Sequence, residues 1–170
     1  MVKLMKILIC YHSDTGNTEA IAKSMAEGLA DQDVTLLPAK DVDPSSLGDY
    51  DLVFLGSGIY AGALGKSIKK LMKNITNYPP KFVLFCTHAN PDPAFYQKAF
   101  KKVEKQISEN NSTVCAQFHC IGENKNPQVV EMLLKTMPSM KEPLEAAKGH
   151  PDAKDLENAK NFAQSVLQEL

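Results

Sequence analysis

Residues 7–29 read ILICYHSDTGNTEAIAKSMAEGL, an apolar run, a polar turn and an amphipathic segment in direct succession. Lys6 to Tyr11, rich in Ile and Leu, reads as a buried strand. Ile21, Met25 and Leu29 recur every four residues with Ala22 and Ala26 beside them, which is one face of a helix. Between them lies Ser13-Asp14-Thr15-Gly16-Asn17-Thr18, with hydroxyls, an amide and a glycine but no lysine or arginine. A loop that opens a helix exposes backbone N–H groups without intrahelical partners. Together with the helix dipole these form an anion site that needs no cationic side chain. Ser13, Thr15 and Thr18 add hydroxyl donors, Asn17 adds an amide, and Gly16 lets the backbone approach closely. The motif is neither GxxxxGK[ST] nor GxGxxG, which argues against a transferring γ-phosphate and against dinucleotide binding by that route. A terminal monophosphate that stays in place fits better. A polar turn that merely caps the helix would explain any one of these residues, but less readily five polar side chains, Asp14 included, in six positions.

The same alternation continues along the chain. Val34 to Leu37, Leu52 to Leu55, Phe82 to Cys86 and Val114 to Ile121 read as four more strands. Leu64, Ile68, Leu71, Met72 and Ile75 mark one helix, and Tyr96, Ala99, Phe100, Val103 and Ile107 another. Leu156, Ala159, Ala163, Val166, Leu167 and Leu170 form the apolar face of a closing helix, with Asp152 placed to cap it and Asp155 in its first turn. Strands apolar on both faces that alternate with helices predict a doubly wound α/β fold, a parallel sheet with helices on both faces. Such sheets bind ligands at the carboxyl ends of their strands, which singles out loops 12–18, 56–65 and 87–95.

The 170 residues fit a single domain, with an insertion at about 123–151 in which Val129, Val130, Leu133, Leu134 and Met137 suggest one extra helix. A hydrophobic content of 44% with 23% charged residues is ordinary for a soluble globular protein. A net charge of -1 gives no general field for nucleic acid or an anionic membrane, and no apolar run is long enough to span one. Cys10, Cys86, Cys115 and Cys120 contain no CxxC, and most lie in or at the end of apolar runs, which suits a reduced, cytoplasmic protein. No nucleophile, acid/base pair or metal motif stands out. Lys66 to Lys73, KSIKKLMK, makes a basic helix face.

YHSDTGNTEAIA resembles the flavodoxin signature, a tyrosine followed by S-x-T-G-N-T-E. DYDLVFLGSGIYAGALGKSIKKLM is similar to that family's third strand and following loop, and GHPDAKDLENAKNFA to the closing helix of one of its branches. The resemblance implies a five-stranded sheet in the order 2-1-3-4-5 with FMN at the switch point. It would place the FMN phosphate on Ser13, Asp14, Thr15, Gly16, Asn17 and Thr18, with Asp14 giving its N–H and turning its carboxylate outward. The flavin would meet Ser57, Gly58, Ile59, Tyr60, Ala61 and Gly62, with Tyr60 stacking on the ring. Ala61-Gly62 is the nearest match to a peptide that reorients as the flavin gains a proton, and Gly62 is expected to tolerate that change. Thr87, His88, Ala89 and Asn90 would line the flavin edge, although a solvent-exposed loop position explains His88 equally well. A second sandwiching aromatic is replaced by Pro91 and Pro93, which leaves one flavin face open. The implied function is electron transfer, with flavin cycling between oxidised, semiquinone and hydroquinone states. The partners would be redox proteins or a small-molecule acceptor, and the chain a monomer or homodimer. The alternative is an FMN-dependent NAD(P)H:quinone or small-acceptor oxidoreductase, favoured by the near-neutral charge and the open face. A flavodoxin-like fold that has lost FMN is a third reading, opposed by the intact T-G-N-T.

Overall fold

Five apolar runs pair as parallel strands of one sheet in the computed structural model, which describes residues 3–170. In chain order the elements are β1 (Lys6–His12), α1 (Asn17–Gly28), β2 (Asp33–Pro38), β3 (Leu52–Tyr60), β4 (Ala63–Leu64), α2 (Lys66–Asn74), β5 (Lys81–His88), α3 (Pro93–Glu109), β6 (Thr113–Ile121), α4 (Pro127–Thr136), α5 (Lys141–Ala146) and α6 (Ala153–Glu169). The strands lie in the order β2-β1-β3-β5-β6, with the two-residue β4 antiparallel to the end of β3. Counting only parallel strands, this is the expected 2-1-3-4-5 order, so the doubly wound flavodoxin-like architecture holds.

Alternate residues of each central strand feed two cores. Leu8, Cys10, Val53, Leu55, Phe82, Leu84 and Cys86 pack under α2 and α3 through Ile68, Leu71, Phe100 and Ile107. Ile7, Ile9, Tyr11, Leu52, Phe54, Val83 and Phe85 pack under α1 and α6 through Ile21, Met25, Ala159 and Ala163. Phe54, Phe82 and Phe85 are fully buried, and each such side chain stabilises the fold by about 1.5–3 kcal/mol relative to exposure. Asp152 caps α6 as predicted: its carboxylate accepts from Asp155 N–H at 2.9 Å, and Asp155 Oδ2 accepts from Asp152 N–H at 2.8 Å.

Two strands run further than their hydrophobicity indicates. β3 continues past Gly56 through Ser57, Gly58, Ile59 and Tyr60, and β5 takes in Thr87 and His88. The expected 56–65 loop is therefore half strand. It then turns back through Ala61 (φ 50°) and Gly62 (φ 77°), a two-residue hairpin that pairs Tyr60 with Ala63. Two consecutive positive φ angles match the right-handed strand twist. Alanine carries a steric penalty in that region and glycine does not. Ala61→Gly is expected to raise stability by about 1 kcal/mol. Urea unfolding midpoints of the two proteins measure it, and an unchanged midpoint would mean that Ala61 is unstrained.

The 123–151 insertion holds two helices, not one. α4 starts at Pro127, capped by Asn126 Oδ1, which accepts from Gln128 N–H at 3.1 Å. It buries none of its residues, and Met132 and Leu134 are exposed. The anchoring comes later, from Met140, Leu144 and Ala147. Among the described residues no helix is long and apolar enough to cross a membrane. Cys10 and Cys86 are buried as expected, but Cys115 is exposed because β6 is an edge strand.

Candidate functional site

The chain leaves β1 at His12 and closes a tight turn in which Ser13 Oγ accepts from Gly16 N–H at 3.0 Å. Gly16, at φ 96°, is the N-cap of α1, and no side chain caps the helix. The first N–H groups of α1 thus have no side-chain partner, at the positive end of the helix dipole. Space beside Gly16 is open, since a Cβ there would meet nothing within 4 Å. Two polar side chains of this turn are buried and tie it to neighbouring strand ends. Thr18 Oγ1 lies 2.9 Å from Thr87 Oγ1, and Asn17 Nδ2 donates to Glu123 O at 2.7 Å. Asn17 Oδ1 is buried with no hydrogen-bond partner. Such an atom costs free energy unless a ligand or water donates to it.

Asp14 behaves as its charge requires. Its carboxylate is largely exposed and turned to His12 Nε2, 3.0 Å away. Its N–H donates to Tyr60 Oη at 3.3 Å. Tyr60 meets the His12 ring edge-on at a centroid distance of 5.5 Å. His12 is held from the other side by Ser67 Oγ at 2.6 Å. The Tyr60 phenol is pushed up to about 12, by burial first and by the Asp14 charge second, so it stays a neutral donor and acceptor. Gly58 makes room for this ring, since a Cβ there would come within 2.8 Å of Tyr60 Oη.

His88 is buried, not a solvent-exposed loop residue. Its ring stacks on Tyr96 at a centroid distance of 5.0 Å, and its Nε2 lies 3.1 Å from Nδ1 of the exposed His119. Nδ1 of His88 has no partner. Burial, and then the neighbouring His119, lower its pKa to about 4, so the imidazole is neutral at pH 7. Its ordinary value is 6.5, so between those two pH values the unfolded chain holds a proton that the folded chain refuses. Stability is expected to fall by about 1 to 2 kcal/mol, screening included, as pH drops through that window. His88→Gln should flatten that part of the profile in urea unfolding at stepped pH; an unchanged slope would show that His88 does not carry it.

These groups enclose a cavity of about 90 Å³ at the carboxyl edge of the sheet. It gathers Ser13, Asp14, Thr15, Asn17, Thr18, Gly58, Ile59, Tyr60, Thr87, His88 and Ala89. Gly16 shapes the turn without lining the cavity. Ser57 does not line it either; its Oγ accepts from Gly65 N–H at 2.7 Å and so braces the hairpin. Ala61 and Gly62 face a different groove, and Asn90 Oδ1 is taken by Asp92 N–H at 3.0 Å. Phe95 follows in α3 and is the near neighbour of Gly62, 3.8 Å from where its Cβ would stand. The cavity also uses Gly122, Glu123 and Asn124, which the sequence reading passed over. The strand-end rule, applied to the fifth parallel strand, would have found them. No lysine or arginine lines the cavity, so its donors are N–H groups, hydroxyls and amides. Such a set fits a phosphate carrying a polyhydroxylated tail, with Asn17 Oδ1 free to accept from a hydroxyl.

Among the described residues only His150, Asp152 and Asp155 stand close enough to hold a metal. They are already engaged in capping α6, with His150 Nδ1 2.6 Å from Asp155 Oδ2.

Residues 8–164 match the family described as Flavodoxin domain. The flavodoxin-like domain-containing protein BilS of Clostridioides difficile is 30% identical over 177 aligned positions, covering 96% of this chain and 97% of that protein. The structure of oxidised Flavodoxin 2 from Bacillus cereus superposes with a TM-score of 0.70 at 23% identity, covering 97% of this chain and 99% of that one. A Lactobacillus acidophilus flavoprotein in complex with FMN superposes with a TM-score of 0.53 at 18% identity, over 68% of this chain and 93% of that one.

Proposed function

Because the chain belongs to the flavodoxin domain family, we propose that it binds FMN at the carboxyl edge of its sheet and transfers electrons through it. The observation that carries this reading is the uncapped start of α1, beside a buried amide oxygen that lacks a donor. The Bacillus cereus relative is a flavodoxin and the Lactobacillus acidophilus protein holds FMN, which supports the same ligand here. Bound FMN would supply the one- and two-electron chemistry. The protein's part is to bind and orient. The α1 N–H groups, Ser13, Thr15 and Thr18 would hold the phosphate, and Asn17 Oδ1 would accept from the ribityl chain. Tyr60 and His88 would flank the ring. Neutral His88 adds no positive charge, so stacking, backbone contacts and the Asp14 and Glu123 carboxylates at the cavity would set the flavin's potential.

Anaerobic reductive titration of FMN-incubated, desalted protein tests this. Retained flavin that reduces in two separate one-electron steps supports electron transfer. No retained flavin removes the proposal.

The His88–His119 contact favours a second reading. It reaches from the cavity to an exposed imidazole and can relay a proton inward, which two-electron reduction of a quinone or other small acceptor by NAD(P)H requires. NADPH oxidation by the loaded protein, slowed in His119→Gln, would support it. Direct passage to the two-electron state without NADPH turnover would not.

A further inference from the structure

The lysines flanking the hairpin have no role in the site described above. Residues 66–105 carry nine lysines against two acids, Asp92 and Glu104; the rest of the chain carries ten lysines against eighteen acids. A nearly neutral protein is therefore strongly polarised, and the fold gathers the positive pole. α2 and α3 lie on the same face of the sheet, with a groove of about 670 Å³ between them. Ile68, Met72, Ala99 and Val103 make its floor, and Lys69, Lys73, Lys98 and Lys102 stand along its two walls. Among the described residues none of these four ammonium groups is paired with a carboxylate, whereas Lys23, Lys105, Lys135 and Lys148 all are. The groove ends at Ala61 and Gly62, next to Tyr60 of the cavity.

Four like charges held round an apolar floor repel one another, and their alkyl stems extend the apolar surface. The complement is a surface with carboxylates at the rim and an apolar anchor at its centre. We propose that this groove docks an acidic protein carrying a one-electron redox centre, whose electron passes to or from the flavin beside Tyr60. The proposal rests on the FMN reading for the electron, but not for the docking. In each encounter one centre loses the electron that the other gains, and no bond forms or breaks. The negative pole of the same molecule turns acidic partners away from its other faces, so the field steers as well as holds.

Two measurements keep the docking and the flavin apart. The first uses flavin-free protein and an acidic [2Fe–2S] ferredoxin as the probe, with binding followed by nitrogen-15 NMR shifts. Shifts should concentrate on α2 and α3, and weaken at least tenfold in affinity between about 20 mM and about 0.5 M salt. The second uses FMN-loaded protein and stopped-flow exchange with the reduced ferredoxin. Lys69→Glu/Lys98→Glu should slow that exchange at least tenfold, with unchanged flavin content, and should quicken exchange with a basic cytochrome c. The milder Lys69→Gln/Lys98→Gln should give an intermediate rate. Wild-type exchange rates in the charge-reversed variant would overturn the proposal. So would ferredoxin shifts away from α2 and α3, or shifts there caused by dodecanoate or anionic vesicles and not by ferredoxin. Absence of retained flavin with ferredoxin still bound at α2 and α3 would remove the electron-transfer reading and leave the lysine-walled face that docks an acidic partner.

Discussion

Thr15→Asp is expected to weaken FMN binding by between about fivefold and about a thousandfold, while riboflavin binding stays as it was. Two unit charges about 4 Å apart repel by about 4 kcal/mol at an effective dielectric constant near 20, and by about 1 kcal/mol in bulk water. The position lines the cavity but is exposed, so the effect falls between these limits. The existing Asp14 shows how the chain avoids this repulsion: its carboxylate is held off by His12. A second carboxylate at position 15 would have no such partner within reach, because His12 is already taken by Asp14 and Ser67. The fold should not suffer, since an acid ahead of a helix start is favoured by the dipole. Quenching of flavin fluorescence by apoprotein measures both affinities, with Thr15→Asn separating loss of the hydroxyl from gain of charge. Equal losses for FMN and riboflavin would mean that the loop does not hold the phosphate.

The loop could be read from sequence because its logic is local. A strand, a turn without cations and a helix start dictate where unpartnered N–H groups fall, whatever surrounds them. Helix faces were legible for the same reason: Ile21, Met25, Ile68, Phe100 and Ile107 recur at helical spacing and are all buried. The extent of β3 was not legible, because Gly56 and Gly58 look like loop residues. They lie in a strand in which their missing side chains make room for large rings, Phe85 of β5 over Gly56 and Tyr60 of β3 itself over Gly58. The hairpin was hidden by Ala61, which lacks the usual Asn-Gly or Asp-Gly signal. His88 is a tertiary product, buried only because Tyr96 and His119 stack on it from α3 and β6. α4 was detected through its apolar spacing, but that spacing does not say what, if anything, the helix packs against; here it buries none of its residues.

The glycine at position 56 is where strand packing and the site depend on each other most directly. Gly56→Ala is expected to destabilise the protein by about 3 kcal/mol or more, the upper range for overpacking a filled core. The added Cβ would fall inside the Phe85 ring, which is fully buried and opposite Gly56 in the β3–β5 register. Neither partner can yield cheaply. β3 is hydrogen-bonded to β1 on one side and β5 on the other, and Phe85 packs in the core under α1 and α6. A shift of β3 would also move Gly58 and Tyr60, so FMN binding should weaken even in the folded fraction. Phe85→Leu should relieve the clash. In a double-mutant cycle by urea unfolding, the pair Gly56→Ala/Phe85→Leu should be at least about 1 kcal/mol more stable than additivity allows. Strict additivity would mean that the ring does not limit position 56. A stable single variant with intact FMN affinity would show that β3 can move without disturbing the cavity, and would separate the sheet's packing from its ligand.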